Sequence, residues 1–337
     1  MSNHEVENIT RLYGLTLKFV EDYGRVMKVY TDKGEFALKR MAANNGIDFF
    51  YYMQHLYQQG YNRIVPIFPA LDGRYAILHG TSLYYLMPWL TNKEREGINE
   101  KNESLFRELA RLHTLSVREE PVSKENREEH FERMNARWER ELEALESFVE
   151  QSEKSTYMSP FQLLFCTYFS EITGGQRYAI KKLTEWKEAT GEENKARSVI
   201  IHGKLSNEHF LYDENGYGYF TNFEKAERAS PIHDLLPFLS RTMHTYPKQF
   251  DESVSWIMSY FKYFPFTKDE MLLFLGYLAH PGSIFRVVEK YFSSPDKKDE
   301  IKFIRQLQKQ YWQMKNIEYV VMKIDEIERA KNEQNPA

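Results

Sequence analysis

Two stretches of this sequence carry side chains that could do chemistry. The first is Phe36-Ala-Leu-Lys39, where a lysine closes an apolar, alternating run. A lysine held on a strand and facing a cleft pairs with phosphate as a compact point charge, whereas a lysine on a strand edge is simply solvated. The segment alone admits both. The second is His202-Gly-Lys-Leu-Ser-Asn-Glu-His-Phe-Leu211, followed by Tyr219-Phe-Thr-Asn-Phe-Glu224. It brings imidazoles, an ammonium, an amide and carboxylates into one short region. His202, His209 and Glu224 fit no common metal-ligand spacing. Lys204 has Glu208 and Glu224 as possible partners, or an anion. The single cysteine, Cys166, lies between Phe161-Gln-Leu-Leu-Phe165 and Tyr168-Phe169, which reads as a buried small hydrophobe.

These side chains need a scaffold, and the hydrophobic periodicity supplies one. A helix is expected over Asn3 to Tyr13. Arg25 to Tyr30 and Glu35 to Arg40 alternate on either side of the turn Thr31-Asp-Lys-Gly34, as a hairpin does. Ile47 to Gln59 has helical spacing, stopped by Gly60. Ile64 to Phe68, Tyr75 to Leu78 and Leu83 to Met87 read as further strands, the last ended by Pro88. After Thr91 the texture becomes helical. Asn99–Ser116, Ser123–Gln151 and Pro160–Trp186 have helical patterns, the last weakened by Gly174-Gly175. Ile200–Phe223 interrupts with short β-like runs, and everything from Ile232 onward reads as helix, ending in a long charged one over Lys297 to Lys331. With 45 Lys+Arg against 49 Asp+Glu, the net charge of −4 does not advertise a polyanionic partner. One cysteine excludes a disulfide framework. The opening residues show no basic and apolar leader pattern, and the longest apolar stretch, Met271 to Ala279, is too short to span a bilayer.

The order of motifs resembles the aminoglycoside phosphotransferase and choline kinase branch of the protein-kinase-like fold. That branch carries a His-Gly-Asp-Leu-x-x-x-Asn-x-Leu loop followed by Ile-Asp-Phe/Trp-Asp/Glu. Here the counterparts are His202 to Leu211 and Tyr219 to Glu224. Leu109-Ala-Arg-Leu-His113, Met87-Pro-Trp-Leu90 and Ser230-Pro-Ile-His-Asp234-Leu fall where the branch has its Leu-Ala-x-Leu-His helix, its hinge and its Pro-x-x-Asp-Leu. Within the branch the sequence is most similar to the kinase-like spore coat proteins of the CotS and YutH type, through Gly60 to Pro66, Asp72-Gly-Arg-Tyr75 and Met87 to Leu90.

The resemblance implies a degenerate site. The catalytic Asp falls on Lys204, the metal-binding Asn on His209 and the second metal-binding Asp on Asn222. Asp to Lys is a swing of two charges and Asp to Asn one more, which leaves the site about three units more positive than the pattern. A charge pair at ~4 Å and an effective dielectric of ~20 is worth about 4 kcal/mol. Magnesium, which takes hard oxygen ligands, is disfavoured on that scale. The phosphate-cradling turn would be Glu21-Asp-Tyr-Gly24, with one glycine and two acids, and the helix at 47–59 offers Lys39 only Asp48. The resemblance assigns His202 and Asp234 to bracing the loop, and Lys39, Met87 and Trp89 to any nucleotide that binds.

The expectation is an α+β, protein-kinase-like fold: a small antiparallel β-rich N-terminal lobe over 1–90 and a large, mostly helical C-terminal lobe over 91–337 holding the degenerate loop. The implied function is that of a catalytically degenerate, structural or scaffolding component of the spore coat, made in the mother-cell cytoplasm and assembled with other coat proteins. It would have no metal, no cofactor, no nucleic-acid partner and no membrane insertion. The alternative is a small-molecule phosphotransferase, or a nucleotide- or metabolite-binding pseudokinase, with a rewired interlobe site; ATP and magnesium belong to that alternative alone.

Overall fold

A computed structural model describes residues 3–43, 46–92, 97–191, 193–294 and 299–334. Backbone packing divides the chain into two compact units, each built from two stretches of sequence. Unit 1 is Met1–Val117 with Val199–Asp234, and unit 2 is Arg118–Ser198 with Leu235–Ala337. The division at residue 90 follows a change in local texture, whereas these units follow packing.

Unit 1 opens with α1 (Asn3–Leu12), whose Val6 and Ile9 are buried against a sheet. The strands are β1 (Leu17–Asp22), β2 (Val26–Thr31) and β3 (Gly34–Ala42), then, after α2 (Phe49–Gln58), β4 (Ile77–His79) and β5 (Ser82–Pro88). All pairs are antiparallel, in the order β1-β2-β3-β5-β4. The alternation of β2 is the expected one: Met27, Val29 and Thr31 face the core, and Val26, Lys28 and Tyr30 face away. Met27, Val29, Leu38, Tyr84 and Leu86 form the centre of that core with α1.

The sheet departs from expectation at two places. Ile64–Phe68 is not a strand; it makes only isolated bridges, Ile64 to Phe220 and Phe68 to Leu86. Its apolar run reflects burial of Ile64 and Val65, which periodicity cannot distinguish from a strand. Conversely, β1 has no expected counterpart. It is an edge strand with Phe19 exposed, so one face never needed an apolar pattern.

The chain continues through α3 (Ile98–Ser116) into unit 2, with β6 (Arg118–Pro121), α4 (Lys124–Glu153) and α5 (Pro160–Thr190). Ser123 accepts from the Asn126 N–H to cap α4, and Ser159 with Gln162 forms a capping box ahead of Pro160 for α5. The expected weakness at Gly174-Gly175 does not break α5. β7 (Lys195–Ile201) pairs with β6 through its first half and with β10 (Glu227–Ala229) through its second. Between β7 and β10 lies the hairpin of β8 (Phe210–Tyr212) and β9 (Gly218–Phe220). The remaining helices are α6 (Ile232–Thr242), α7 (Asp251–Tyr263), α8 (Lys268–Ala279), α9 (Gly282–Ser293) and α10 (Glu300–Gln334); the expected start of the last at Lys297 lies outside the described residues.

Gly276 lets α8 approach α5 closely: a Cβ there would lie 3.2 Å from the Lys182 Cβ, whereas one on Gly175 would make ordinary contact, 3.4 Å from the Ala279 carbonyl. Trp138, Leu183 and Trp186 centre one apolar cluster of unit 2, and Phe161, Phe165 and Tyr291 another. Cys166, expected to be buried, is half-buried. Within Lys268–Ser293 the most apolar 18 residues have a mean hydropathy of 1.4, but the span is two helices separated at His280-Pro281 and half of those 18 residues are buried in the protein.

Candidate functional site

Lys39 lies on β3, the middle strand of the sheet, directly opposite Tyr85 on β5. Ala37, Leu38 and Lys39 are all buried. Leu38 enters the core, while Ala37 and Lys39 on the other face line a cavity of about 420 Å³ within unit 1. The solvated-edge reading of Lys39 is thereby excluded, since its side chain is only 10% exposed.

A buried ammonium needs partners, and Lys39 has them. Its Nζ lies 2.9 Å from Glu224 Oε1 and also donates to Asn222 Oδ1. The Tyr85 hydroxyl donates to the same Glu224 oxygen at 3.0 Å. Burial pushes the Lys39 ammonium below its ordinary range; Glu224 opposes this, while Lys204 and Arg25 add to it. Burial, then Glu224, push the Tyr85 phenol up, so it stays a donor. The partner of Lys39 therefore comes from the segment after β9, and neither Asp48 nor any other group on α2 takes that place.

The bonds continue. Asn222 Nδ2 donates to His209 Nε2 at 2.7 Å, and His209 Nδ1 donates to the Lys204 carbonyl at 2.8 Å. Because a carbonyl only accepts, His209 carries its proton on Nδ1 and presents Nε2 as an acceptor. Burial, with Lys39 and Lys204 nearby, pushes the His209 imidazole below its ordinary range, which keeps it neutral. Asn222 has a φ of +68°, a left-handed conformation that asparagine tolerates better than most residues. That twist turns its amide between lysine and histidine.

The loop carrying these groups is held from below. His202 is fully buried; its Nε2 donates to the Thr221 carbonyl at 2.7 Å and its Nδ1 accepts from the Lys204 N–H. Burial lowers its pKa to about 4, so it is neutral. Asp234 accepts from the His202 N–H at 2.7 Å through one oxygen and from the Gly203 N–H at 2.9 Å through the other, with His113 Nε2 3.4 Å away. Burial alone would raise the Asp234 carboxyl, but the hydrogen bond and charge of His113 and the contacts with His202 hold it below the usual range. Gly203 has a φ of +72°, and a Cβ there would lie 2.0 Å from the Lys225 carbonyl. No other residue fits.

Lys204 points elsewhere than expected. It is exposed and, among the described residues, pairs with neither Glu208 nor Glu224. It lines the cavity, as do Arg25, Met87, Trp89 and Glu208. Sequence reasoning misses Arg25 and the role of Glu224 toward Lys39. The strand register offers a signal for Arg25, since Val26 pairs with Lys39 and places Arg25 at the same end. The two acids of the first turn, expected to repel phosphate, are occupied locally. Glu21 accepts from the Tyr23 and Tyr30 hydroxyls, and Asp22 accepts from the Gly24 N–H. Neither is among the described residues lining the cavity.

Magnesium does not fit the groups present. Asn222 gives its oxygen to Lys39, His209 offers nitrogen already bonded to Asn222, and Lys204 brings a positive charge to the lining. Among the described residues no group of three or more His, Cys, Asp or Glu could hold a metal ion.

An antiparallel sheet followed by a mostly helical part, with a lysine on the central strand and a His-Gly loop closed by a buried aspartate, defines the protein-kinase-like fold. The structure is similar to that of an aminoglycoside phosphotransferase from Alicyclobacillus acidocaldarius subsp. acidocaldarius DSM 446, with a TM-score of 0.70, 16% identity and 94% of each chain covered. It is also similar to spectinomycin phosphotransferase APH(9)-Ia, solved with ADP and spectinomycin, with a TM-score of 0.53 and 11% identity, covering 95% of this chain and 99% of that one. The sequence matches the family described as spore coat putative kinase YutH over residues 6–324, and the chain belongs to that family. Comparison with curated proteins gives no match.

Proposed function

We propose that this protein is a catalytically degenerate, kinase-like component of the spore coat, made in the mother-cell cytoplasm and assembled on the coat as a scaffold for other coat proteins. The observation that carries this reading is the closed run of bonds from Glu224 through Lys39, Asn222 and His209 to the Lys204 carbonyl. Phosphoryl transfer needs positioned metal ions and a carboxylate near the attacking hydroxyl. Here every group at those positions is neutral, cationic or already bonded. Family membership supports the coat setting. Exposed tyrosines, Tyr157 and Tyr51 among them, suit a protein packed among others, because tyrosine gives large contact area at low entropic cost.

The test has two parts. Purified protein is offered ATP, magnesium and a panel of hydroxyl-bearing acceptors; no transfer is expected. Spores whose only copy carries Lys204→Ala, at an exposed side chain, are expected to incorporate the protein and build a coat as wild type does. Magnesium-dependent transfer that Lys39→Ala abolishes would overturn the reading. The double variant Lys204→Asp/Asn222→Asp is expected to stay inactive, since His209 still stands at the remaining metal position.

A further inference from the structure

We propose that the outer edge of β1 is the surface through which two copies of this chain pair, strand against strand, about a two-fold axis on Val20. The proposal goes beyond the reading above and does not depend on the groups around Lys39. β1 closes one side of the five-stranded sheet, and among the described residues no backbone bond reaches its outer side. The phase of its ladder is fixed. Tyr23 donates to the Val26 carbonyl at 2.9 Å, and the register continues with Glu21 opposite Lys28 and Phe19 opposite Tyr30. Bonded and unbonded pairs alternate in an antiparallel ladder, so Phe19 and Glu21 bond to β2 while Val20 and Asp22 turn their N–H and C=O groups outward. Such a row is a template for another strand.

Charge selects a second copy as that strand and sets the register. An axis on Val20 places Val20 against Val20, and Lys18 of each copy against Asp22 of the other. Both side chains are exposed, and neither has an ion pair among the described residues. Lys18 stands at the irregularity between Leu17 and Phe19, and its flexible four-carbon stem reaches across it. The neighbouring registers are poorer. An axis on Glu21 sets Glu21 against Glu21, one on Asp22 sets Asp22 against Asp22, and one on Phe19 leaves Lys18 and Asp22 without an opposite charge. The axis on Val20 also covers Phe19, which is 58% exposed. Phe19 then lies diagonal to Phe19 of the second copy, within aromatic reach. It lies opposite a Glu21 carboxylate that is already turned to the Tyr23 and Tyr30 hydroxyls. The two five-stranded sheets become one, and a scaffold gains a second copy of every other surface it presents.

Sedimentation velocity on the full chain, loaded at concentrations up to ~0.1 mM, tests this. A dimer is expected, and salt should weaken it. Lys18→Asp sets like charges face to face at both symmetry-related positions and should weaken the dimer at least about tenfold. Asp22→Lys should act in the same direction, and Lys18→Asp/Asp22→Lys should restore the dimer. Lys18 is exposed and Asp22 accepts only from the Gly24 N–H among the described residues, so each variant should melt close to wild type and exclude misfolding. Hydrogen–deuterium exchange of the peptide containing Val20 should slow as the dimer forms. A chain that stays monomeric, a dimer that Lys18→Asp leaves intact, a double variant that does not re-form it, or a Val20 peptide that exchanges alike in monomer and dimer would each overturn the proposal.

Discussion

The substitution Asp234→Asn exchanges one oxygen for an NH₂ group and tests how the loop is held. The carboxylate gives a separate oxygen to each of two backbone donors, the His202 N–H at 2.7 Å and the Gly203 N–H at 2.9 Å. An amide has one oxygen. Either orientation of the substituted amide leaves its NH₂ facing a backbone N–H, and Asp234 is 1% exposed, so water does not substitute. Losing a hydrogen bond to a charged acceptor costs about 1.5–3 kcal/mol, and a stranded buried donor about 1–3 kcal/mol, with partial overlap between the two. The expected loss is about 3 kcal/mol. For a unit of roughly 150 residues this corresponds to a fall of about 6–12 °C in melting temperature. Urea unfolding gives the global figure, and hydrogen–deuterium exchange of the peptide containing His202 and Gly203 locates it. The pH dependence supplies the sign. The Asp234 carboxyl is held below its ordinary value of 3.8 in the folded protein, so its contribution is complete above that value and is lost as pH falls through the lower folded value. The gap between wild type and variant should therefore be constant from neutral pH down to about 5 and close in acid. A loss below about 1 kcal/mol, or a gap that widens in acid, would refute the argument.

Gly203→Ala should cost at least about 2 kcal/mol in the same urea assay, because a left-handed alanine carries strain and its Cβ would meet the Lys225 carbonyl. Lys39→Met leaves Glu224, among the described residues, with only the Tyr85 hydroxyl and should destabilise by about 3 kcal/mol; adding Glu224→Gln should restore more than half of it. In unit 2, Gly276→Val should separate α8 from α5 and lower stability by about 1–3 kcal/mol, read by thermal unfolding.

Local chemistry was legible in the sequence and distant chemistry was not. The alternation of Val26–Thr31 and of Phe36–Lys39 reports which side chains face a core, and the structure places them so. The seat of His202 and Gly203 beside Asp234 was legible only because a motif order carries it; neither residue has a periodic reason to be there. The acid paired with Lys39 was out of reach. Lys39 and Glu224 stand 185 residues apart (224 less 39), and no spacing rule reports which carboxylate a buried lysine meets. Helix glycines misled for a related reason. Gly174-Gly175 is unfavourable in an isolated helix, by about 1 kcal/mol per glycine, but α5 is held by apolar clusters on both sides of the pair, which exist only after packing. β1 was invisible because half of an edge strand faces water.

Unit 1 is assembled from two stretches of chain, and this sets a schedule on the ribosome. The core of α1 and the five-stranded sheet lies wholly within the first ninety residues, so all of its side chains are available before the second stretch of unit 1 is made. Its Lys39 then lacks a counter-charge. Glu224 follows only after a further ~134 residues, among them Arg118–Ser198 of the other unit, which at about 5–20 residues per second take on the order of 7–27 s to synthesise. During that interval the nascent sheet exposes a wet, unpaired lysine where the finished protein has a neutralised one. A polyanion or chaperone acting at that stage would meet a surface that the completed chain no longer offers.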